Sequence, residues 1–313
     1  MKNVINDDGT ELCPGTIDYT YNILSCLRRI IPDFDTYLFI VYNHNGTTLP
    51  ASRNFWHPKK VLFWEAGENQ QQPFSQIKKD YLHIFSNHNK GGGKVHPIPL
   101  GYWDSRIKGE RVEMSERMYN ISFLGCLNRN RVALASLLSG RPKEWIALGL
   151  LRKKEKTLET VNRLALWHNN RDFYNFTGDF GAGFPKERYA YIIRNSKIVL
   201  APRGWVSAEC FRMYEGMMFG CVVITEKLPE RPYYKGIPII QVDKWKEGLY
   251  IARKLLKDEW RLAEMGSENR IFYENHFNPQ SVALDIARVM KGKRFFEKDV
   301  DNGCGNRIMR SVR

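Results

Sequence analysis

The chain has 313 residues and a mass of 36.6 kDa, enough for two domains of ordinary size, each with its own core. Apolar residues make up 43% of the chain and charged residues 26%, which excludes a largely disordered protein. The formal net charge of +14 favours anionic partners, such as nucleotide diphosphates, nucleic acid, a phosphorylated acceptor or an anionic membrane face.

The sequence shows no pattern typical of a signal peptide, a membrane span or a cysteine metal site. The first ten residues contain no apolar stretch typical of a signal peptide, and no apolar run reaches the roughly 18 residues that span a membrane. The six cysteines include no Cys-x-x-Cys pair and no histidine at metal-ligand spacing. We therefore expect a cytoplasmic protein with reduced cysteines.

Apolar runs rich in β-branched and aromatic residues recur along the chain, with helical stretches between them. Near-continuous apolarity over this length is typical of strands covered on both faces, as in a parallel sheet with crossover helices. The sequence therefore predicts an α/β fold. The expected strands are residues 36–42, 60–66, 81–86, 94–100, 119–125, 196–202, 221–225 and 237–242.

Titratable side chains stand near the carboxyl ends of two of the first strands. Glu65 and Glu68 follow one buried run, and His44 follows another. Groups at such an end are well placed to accept a proton from a bound substrate. Each also has a plainer interpretation as a turn, capping or structural residue. The order of preference for a proton acceptor is Glu65, then Glu68, then His44.

A polar, charged stretch over residues 101–118 separates two groups of predicted strands. Its composition is that of a linker. We expect an N-terminal α/β domain over residues 1–110 and a larger C-terminal α/β domain over residues 111–313, facing each other across a cleft.

The stretch FLGCLNRNR, residues 123–131, combines the end of a strand, a glycine turn and a basic helix start. Arg129 and Arg131 would face a phosphate group bound at that helix N-terminus. The alternative is a polar helix start with solvated arginines.

The segment SKIVLAPRGWVSAECFRMYEGMMFGCVVIT, residues 196–225, has the parts of an anion site. It predicts a buried strand, a turn, a short helix ending at Gly220 and another buried strand. A helix N-terminus with arginine side chains is a common way to hold a diphosphate. Arg203, Gly204 and Ser207 lie at the carboxyl end of the first strand, where ligands of open α/β sheets bind.

Arg212 and Glu215 lie three residues apart on the predicted helix and therefore on one face. One interpretation is an intrahelical ion pair. The other is that Arg212 contacts the phosphates of a nucleotide while Glu215 accepts hydrogen bonds from its ribose hydroxyls.

Two helices are predicted near the end of the chain, over residues 258–277 and 279–293. Apolar residues recur there at spacings of three and four, and Asn278 with Pro279 forms a cap and first-turn pair. We expect both helices to pack on the C-terminal domain.

Residues 195–224 resemble the exostosin-like glycosyltransferases. The resemblance implies a GT-B fold, a nucleotide-sugar donor held mainly by the C-terminal domain, and inverting transfer without a catalytic metal. About 30 residues carry it, the spacing between Gly204 and Arg212 is about one residue longer than in the family, and Gly216 replaces its alanine. The matching positions are Pro202, Arg203, Gly204, Arg212, Glu215, Gly220, Cys221 and Val222.

The sequence thus predicts a glycosyltransferase that moves a hexose or pentose from a nucleotide-diphosphate donor, expected to be a UDP-sugar, to a glycan hydroxyl. Arg203 and Arg212 would stabilise the departing diphosphate. The acceptor could be lipid-linked, with the basic tail touching an anionic membrane. Two alternatives stay open: a DNA-base glycosyltransferase, and a nucleotide- or glycan-binding module without turnover. Two Asp-x-Asp triplets, at 33–35 and 299–301, are set aside as chance matches to a metal motif.

Overall fold

The computed structural model describes residues 1–10, 18–44, 49–66, 74–88, 91–102, 110–151, 155–167, 171–179 and 182–293. Within these ranges, two parallel sheets of five strands each carry the fold. Helices cover both sheets. The chain is therefore an α/β protein with two Rossmann-like domains, the smaller at the N-terminus, which confirms the predicted fold class.

The N-terminal sheet has its strands in chain order, all parallel. Alternate side chains of the central strands enter different cores, Phe39 and Phe63 on one face and Ile40 and Leu62 on the other. Both faces are thus buried, which is why these strands read as continuous apolar runs. The elements are β1 (Val4–Asn6), α1 (Asp18–Ile30), β2 (Leu38–His44), β3 (Lys60–Ala66), α2 (Phe74–Ile77), β4 (His83–Ser86) and β5 (Val95–Pro97).

The C-terminal domain begins with β6 (Tyr119–Cys126). The elements that follow are α3 (Val132–Ser139), α4 (Lys143–Leu151), α5 (Glu155–Trp167), β7 (Phe173–Thr177), α6 (Lys186–Arg194), β8 (Ser196–Ala201), α7 (Phe211–Met218), β9 (Val222–Glu226), β10 (Ile240–Val242), α8 (Trp245–Leu255), α9 (Glu259–His276) and α10 (Pro279–Met290). Its sheet has the order β10-β9-β8-β6-β7, with every pair parallel.

Each of the eight predicted strands is present, and two further strands were not predicted. β1 is only three residues long. β7 has a polar residue, Asn175, at its centre, and both Asn175 and its first residue, Phe173, are only partly buried. Because β7 lies at the edge of its sheet, it lacks the continuous apolarity that marks its neighbours.

The last helix, α10, differs from the prediction in what it packs against. The two predicted C-terminal helices are present, and Asn278 caps α10 by accepting a hydrogen bond from the Ser281 N–H. However, α10 packs chiefly against α1 of the N-terminal domain, and its Val282 and Ile286 share one core with Ile23 and Leu24. The expectation that both helices pack on the C-terminal domain is therefore wrong for α10. An amphipathic pattern specifies an apolar face but not the partner that covers it.

Across the described residues, none of the helices combines the length and the apolar character needed to cross a bilayer. The basic tail proposed to touch a membrane lies after residue 293 and so outside the described residues.

Candidate active site

The C-terminal sheet changes its direction of winding between β6 and β8. From β6 the chain passes to β7 on one side, and from β8 it passes to β9 on the other side, so the carboxyl ends of β6 and β8 flank a crevice. Ligands of open α/β sheets bind at such a switch point. The turns after β6 and β8 are the two stretches that the sequence predicts to bind phosphate.

Side-chain hydrogen bonds hold these two turns together. Asn128 caps the helical turn after β6, and its Oδ1 accepts hydrogen bonds from the N–H groups of Asn130 and Arg131. Asn130 then donates from Nδ2 to the carbonyl oxygens of Gly204 and Trp205, at 2.8 and 2.7 Å. Gly204 therefore links the turns through its main chain.

The two predicted arginines of the first turn have different surroundings. Arg131 is buried, and its guanidinium donates to the carbonyl oxygens of Cys126 and Arg203, at 2.7 and 3.0 Å. Arg129 is exposed at the start of the same turn. Arg131 therefore fixes the crevice wall, whereas the Arg129 side chain points to solvent.

Arg212 lies in the first turn of α7 and is buried. One nitrogen, Nη2, donates to the Leu124 carbonyl, and the guanidinium lies over the Phe123 ring, 4.7 Å from its centroid. The other two nitrogens, Nε and Nη1, are buried and have no hydrogen-bond partner within the described part of the chain. Arg212 thus presents unsatisfied donors at the end of β6.

A second guanidinium approaches the same point. An ideal Cβ on Gly125 would overlap Arg212 Nη2 and would lie 3.5 Å from Arg131 Nη1. The two positive groups are therefore within about 6 Å of each other. Like charges this close favour the binding of an anion between or beside them. A glycine at position 125 is what leaves room for both.

Glu215 lies one turn further along α7. It is buried, and its Oε2 accepts a hydrogen bond of 2.6 Å from the Tyr189 hydroxyl. The intrahelical ion pair with Arg212 is not formed, because two of the Arg212 nitrogens have no partner and the third bonds a carbonyl. A carboxylate and an unpaired guanidinium thus lie one helical turn apart beside the crevice.

A cavity of about 580 Å³ lies on the other side of the turn after β8, above the ends of β9 and β10. Two predicted donor-binding residues, Arg203 and Ser207, line this cavity. The lining residues from the turn after β8 are Arg203, Val206, Ser207, Ala208 and Glu209, and those from elsewhere include His88, Glu226, Lys227, Arg231 and Asp243.

The Glu209 carboxylate, in the cavity wall, has several hydrogen-bond and charge partners. Its Oε1 accepts hydrogen bonds from the hydroxyls of Tyr233 and Tyr234, at 3.0 and 2.9 Å. Its Oε2 accepts from Ser207 Oγ at 3.2 Å and lies 3.6 Å from Arg231 Nη2. Burial by itself raises the pKa of Glu209, but its hydrogen-bond and charge partners outweigh that effect and lower the pKa to about 2. Glu209 is therefore an ionised carboxylate.

His88 brings the N-terminal domain to this carboxylate. It follows β4, and its Nδ1 lies 3.1 Å from Glu209 Oε2. Its φ of 55° is the one positive value among the described residues other than glycine. Sequence reasoning missed both residues, since nothing in the local pattern pairs side chains 121 positions apart.

Glu65, the first choice for a proton acceptor, ends β3 and accepts a hydrogen bond from the Thr20 hydroxyl of α1. Burial raises its pKa to about 7, and the Thr20 hydrogen bond only partly opposes this shift. Glu65 is not in the wall of the 580 Å³ cavity. Glu68 and the side chain of His44 lie outside the described residues, so their roles stay predictions.

Comparisons with known proteins give similarities of fold at low identity. No family model matches the chain, and no curated protein matches it in sequence, so the exostosin-like resemblance stays a prediction. Anabaena HepE in complex with UDP has a TM-score of 0.44 and 13% identity, covering 92% of this chain and 78% of its own. A glycosyltransferase from Rickettsia africae has a TM-score of 0.47 and 12% identity, covering 90% of this chain and 84% of its own. TarM has a TM-score of 0.47 and 11% identity, covering 86% of this chain and 57% of its own.

Proposed function

We propose that the protein is a glycosyltransferase that binds the diphosphate of a nucleotide-sugar donor at the crevice between β6 and β8. The observation that carries the proposal is the convergence of Arg131 and Arg212 beside Gly125, with two buried Arg212 nitrogens lacking a partner. Uncompensated buried donors are costly unless a ligand satisfies them. A diphosphate supplies both the negative charge and the acceptor oxygens that this point lacks.

Glu215 is the proposed partner of the ribose hydroxyls. It lies on the same helix as Arg212, one turn away, and a buried carboxylate can accept hydrogen bonds from two hydroxyls of a pentose. Tyr189 already donates one such hydrogen bond, so a hydroxyl donor suits this carboxylate.

The proposed reaction is transfer of the sugar to a hydroxyl of a glycan, with inversion at the anomeric carbon. Guanidinium groups near the departing diphosphate would stabilise its growing charge, which is the role that a metal ion has in other transferases. We propose a UDP-sugar as the donor and no metal requirement. Glu65 is one candidate for the proton acceptor, since a pKa near 7 suits a general base.

A thermal-shift screen tests this proposal. UDP-, GDP-, dTDP- and CMP-sugars are each added with and without EDTA, and release of the nucleotide is then followed for every donor that stabilises the protein. We expect a UDP-sugar to raise the melting temperature equally in both conditions, because binding to the folded state alone stabilises it. If no donor raises the melting temperature and none is turned over, the proposed function is wrong.

A further inference from the structure

The 580 Å³ cavity contains a histidine–carboxylate pair that the donor site does not use. The guanidinium groups of Arg131 and Arg212 lie toward β6, whereas the cavity lies above β9 and β10. His88 reaches it from the N-terminal domain and Glu209 from the C-terminal domain. The pair therefore lies where the two domains meet, in a space large enough for a sugar-sized group.

The hydrogen bonds of Glu209 determine which nitrogen of His88 carries a proton. Tyr233, Tyr234 and Ser207 donate hydroxyl groups to this carboxylate, and Arg231 lies beside it as a cation. A carboxylate surrounded by donors is ionised and can only accept. The contact of 3.1 Å with His88 Nδ1 therefore requires a proton on Nδ1. In the neutral ring, Nε2 then carries a lone pair.

The other ring nitrogen of His88 is available for a substrate. The His88 side chain is 8% exposed and lines the cavity, and Nε2 has no hydrogen-bond partner within the described part of the chain. The backbone of His88 has a φ of 55°, which costs free energy for any residue with a Cβ. Such an uncommon conformation is maintained only where the surroundings impose it, and this is a frequent feature of functional residues.

We propose that His88 is the catalytic base of this enzyme and that Glu209 is its positioning residue, an inference that rests on the proposed glycosyltransferase function. His88 Nε2 takes the proton of the acceptor hydroxyl as the oxygen forms its bond to the anomeric carbon. The bond from the anomeric carbon to the diphosphate oxygen breaks, and its electron pair leaves with the nucleotide. Glu209 stabilises the imidazolium until its proton passes to solvent.

This assignment replaces Glu65 with His88 as the preferred proton acceptor. The Glu65 carboxylate accepts a hydrogen bond from Thr20 and lies outside the cavity wall, whereas His88 forms part of that wall. Proton transfer requires hydrogen-bond distance between base and hydroxyl. His88 in the cavity wall is within reach of a hydroxyl bound in the cavity, whereas Glu65 is not among the residues that line it.

Variants of His88 test the assignment in the full chain. His88→Gly suits the left-handed backbone and leaves a space for an added ring, and His88→Asn keeps an amide donor for Glu209 without a base. His83→Gln is the matched control, because His83 pairs with His96 on the same N-terminal sheet, away from the cavity. The readouts are donor affinity and release of the nucleotide from the donor that the thermal screen selects, with water as the acceptor.

We expect both His88 variants to bind the donor as the wild type does and to lose about 100-fold or more in kcat. Added imidazole should restore turnover to His88→Gly, and pyrazole, a ring of similar shape but far weaker basicity, should not. Glu209→Gln should lower kcat with donor affinity unchanged. Full activity in either His88 variant, or equal rescue by pyrazole, overturns the assignment. Loss of activity in Glu65→Gln, with activity kept in the His88 variants, also overturns the assignment of His88 as the base. A wild type that turns over no donor overturns the glycosyltransferase proposal itself.

Discussion

Replacement of Arg212 by methionine tests whether the Arg212 guanidinium binds a ligand or stabilises the fold. In the free protein this group has two unpartnered nitrogens and lies within about 6 Å of the Arg131 guanidinium. At an effective dielectric constant of about 20, repulsion at that distance is about 3 kcal/mol. Methionine removes the repulsion and keeps a side chain of similar length.

The substitution also removes two favourable contacts. The hydrogen bond to the Leu124 carbonyl contributes about 1 kcal/mol, and the contact with the Phe123 ring about the same. These losses offset most of the relief of repulsion, so the free energy of unfolding should stay within about 1 kcal/mol of the wild type. Removal of one partner from a satisfied buried ion pair costs about 3–5 kcal/mol instead.

The affinity for UDP should change much more than the stability. Hydrogen bonds to charged groups contribute about 1.5–3 kcal/mol each, so loss of one such group should weaken binding by about tenfold to 100-fold. Calorimetry with UDP and denaturant unfolding without it measure the two quantities. Arg270→Met is the control, since Arg270 bonds the Met218 carbonyl at the far end of α7 and forms an ion pair with Glu274. A variant of Arg212 that is several kcal/mol less stable but binds UDP normally would refute this reasoning.

Two further predictions concern Gly125 and Glu65. Gly125→Ala should weaken UDP binding and lower stability, because its Cβ would displace the Arg212 guanidinium and the backbone at this position disfavours a side chain; unchanged UDP affinity by calorimetry would contradict this. The pKa of Glu65 rises from 4.5 to about 7 on folding, so the unfolded chain loses this proton first and stability falls between those pH values. Glu65→Gln should therefore be more stable than the wild type at pH 8, by up to about 3 kcal/mol, and equally stable below pH 4.5. Urea unfolding of both proteins at the two pH values measures this difference. The same difference in stability at both pH values would contradict the prediction.

Local sequence patterns predicted most of the fold because the central strands are buried on both faces. Phe39 and Ile40 enter opposite cores, so β2 has no polar face that would interrupt its apolar run. A search for continuous apolar runs does not find β7, because the polar Asn175 lies at the centre of this edge strand. It also leaves the partner of α10 undetermined, since α1 is more than two hundred positions away in the chain.

The candidate site was predictable where one stretch of chain contains its parts. The strand, turn and helix of residues 196–225 place Arg212 at the switch point, as their order along the chain implies. In the intervening turn, Arg203 and Ser207 line the cavity above β9 and β10. The pairing of His88 with Glu209 depends on how the two domains meet, which no local pattern encodes.

The attachment of α10 to α1 bears on how the two halves can move apart. Within the described residues, the polypeptide passes between the halves after Pro97 and returns at Asn278, and the Tyr19 hydroxyl donates to the Phe277 carbonyl beside that return. The α1–α10 pair and the core that both halves share hold the halves together. Any movement that parts the halves at the cavity would also separate the His88 imidazole from the Glu209 carboxylate. The integrity of the His88–Glu209 pair is therefore a direct report on whether the two halves are closed against each other.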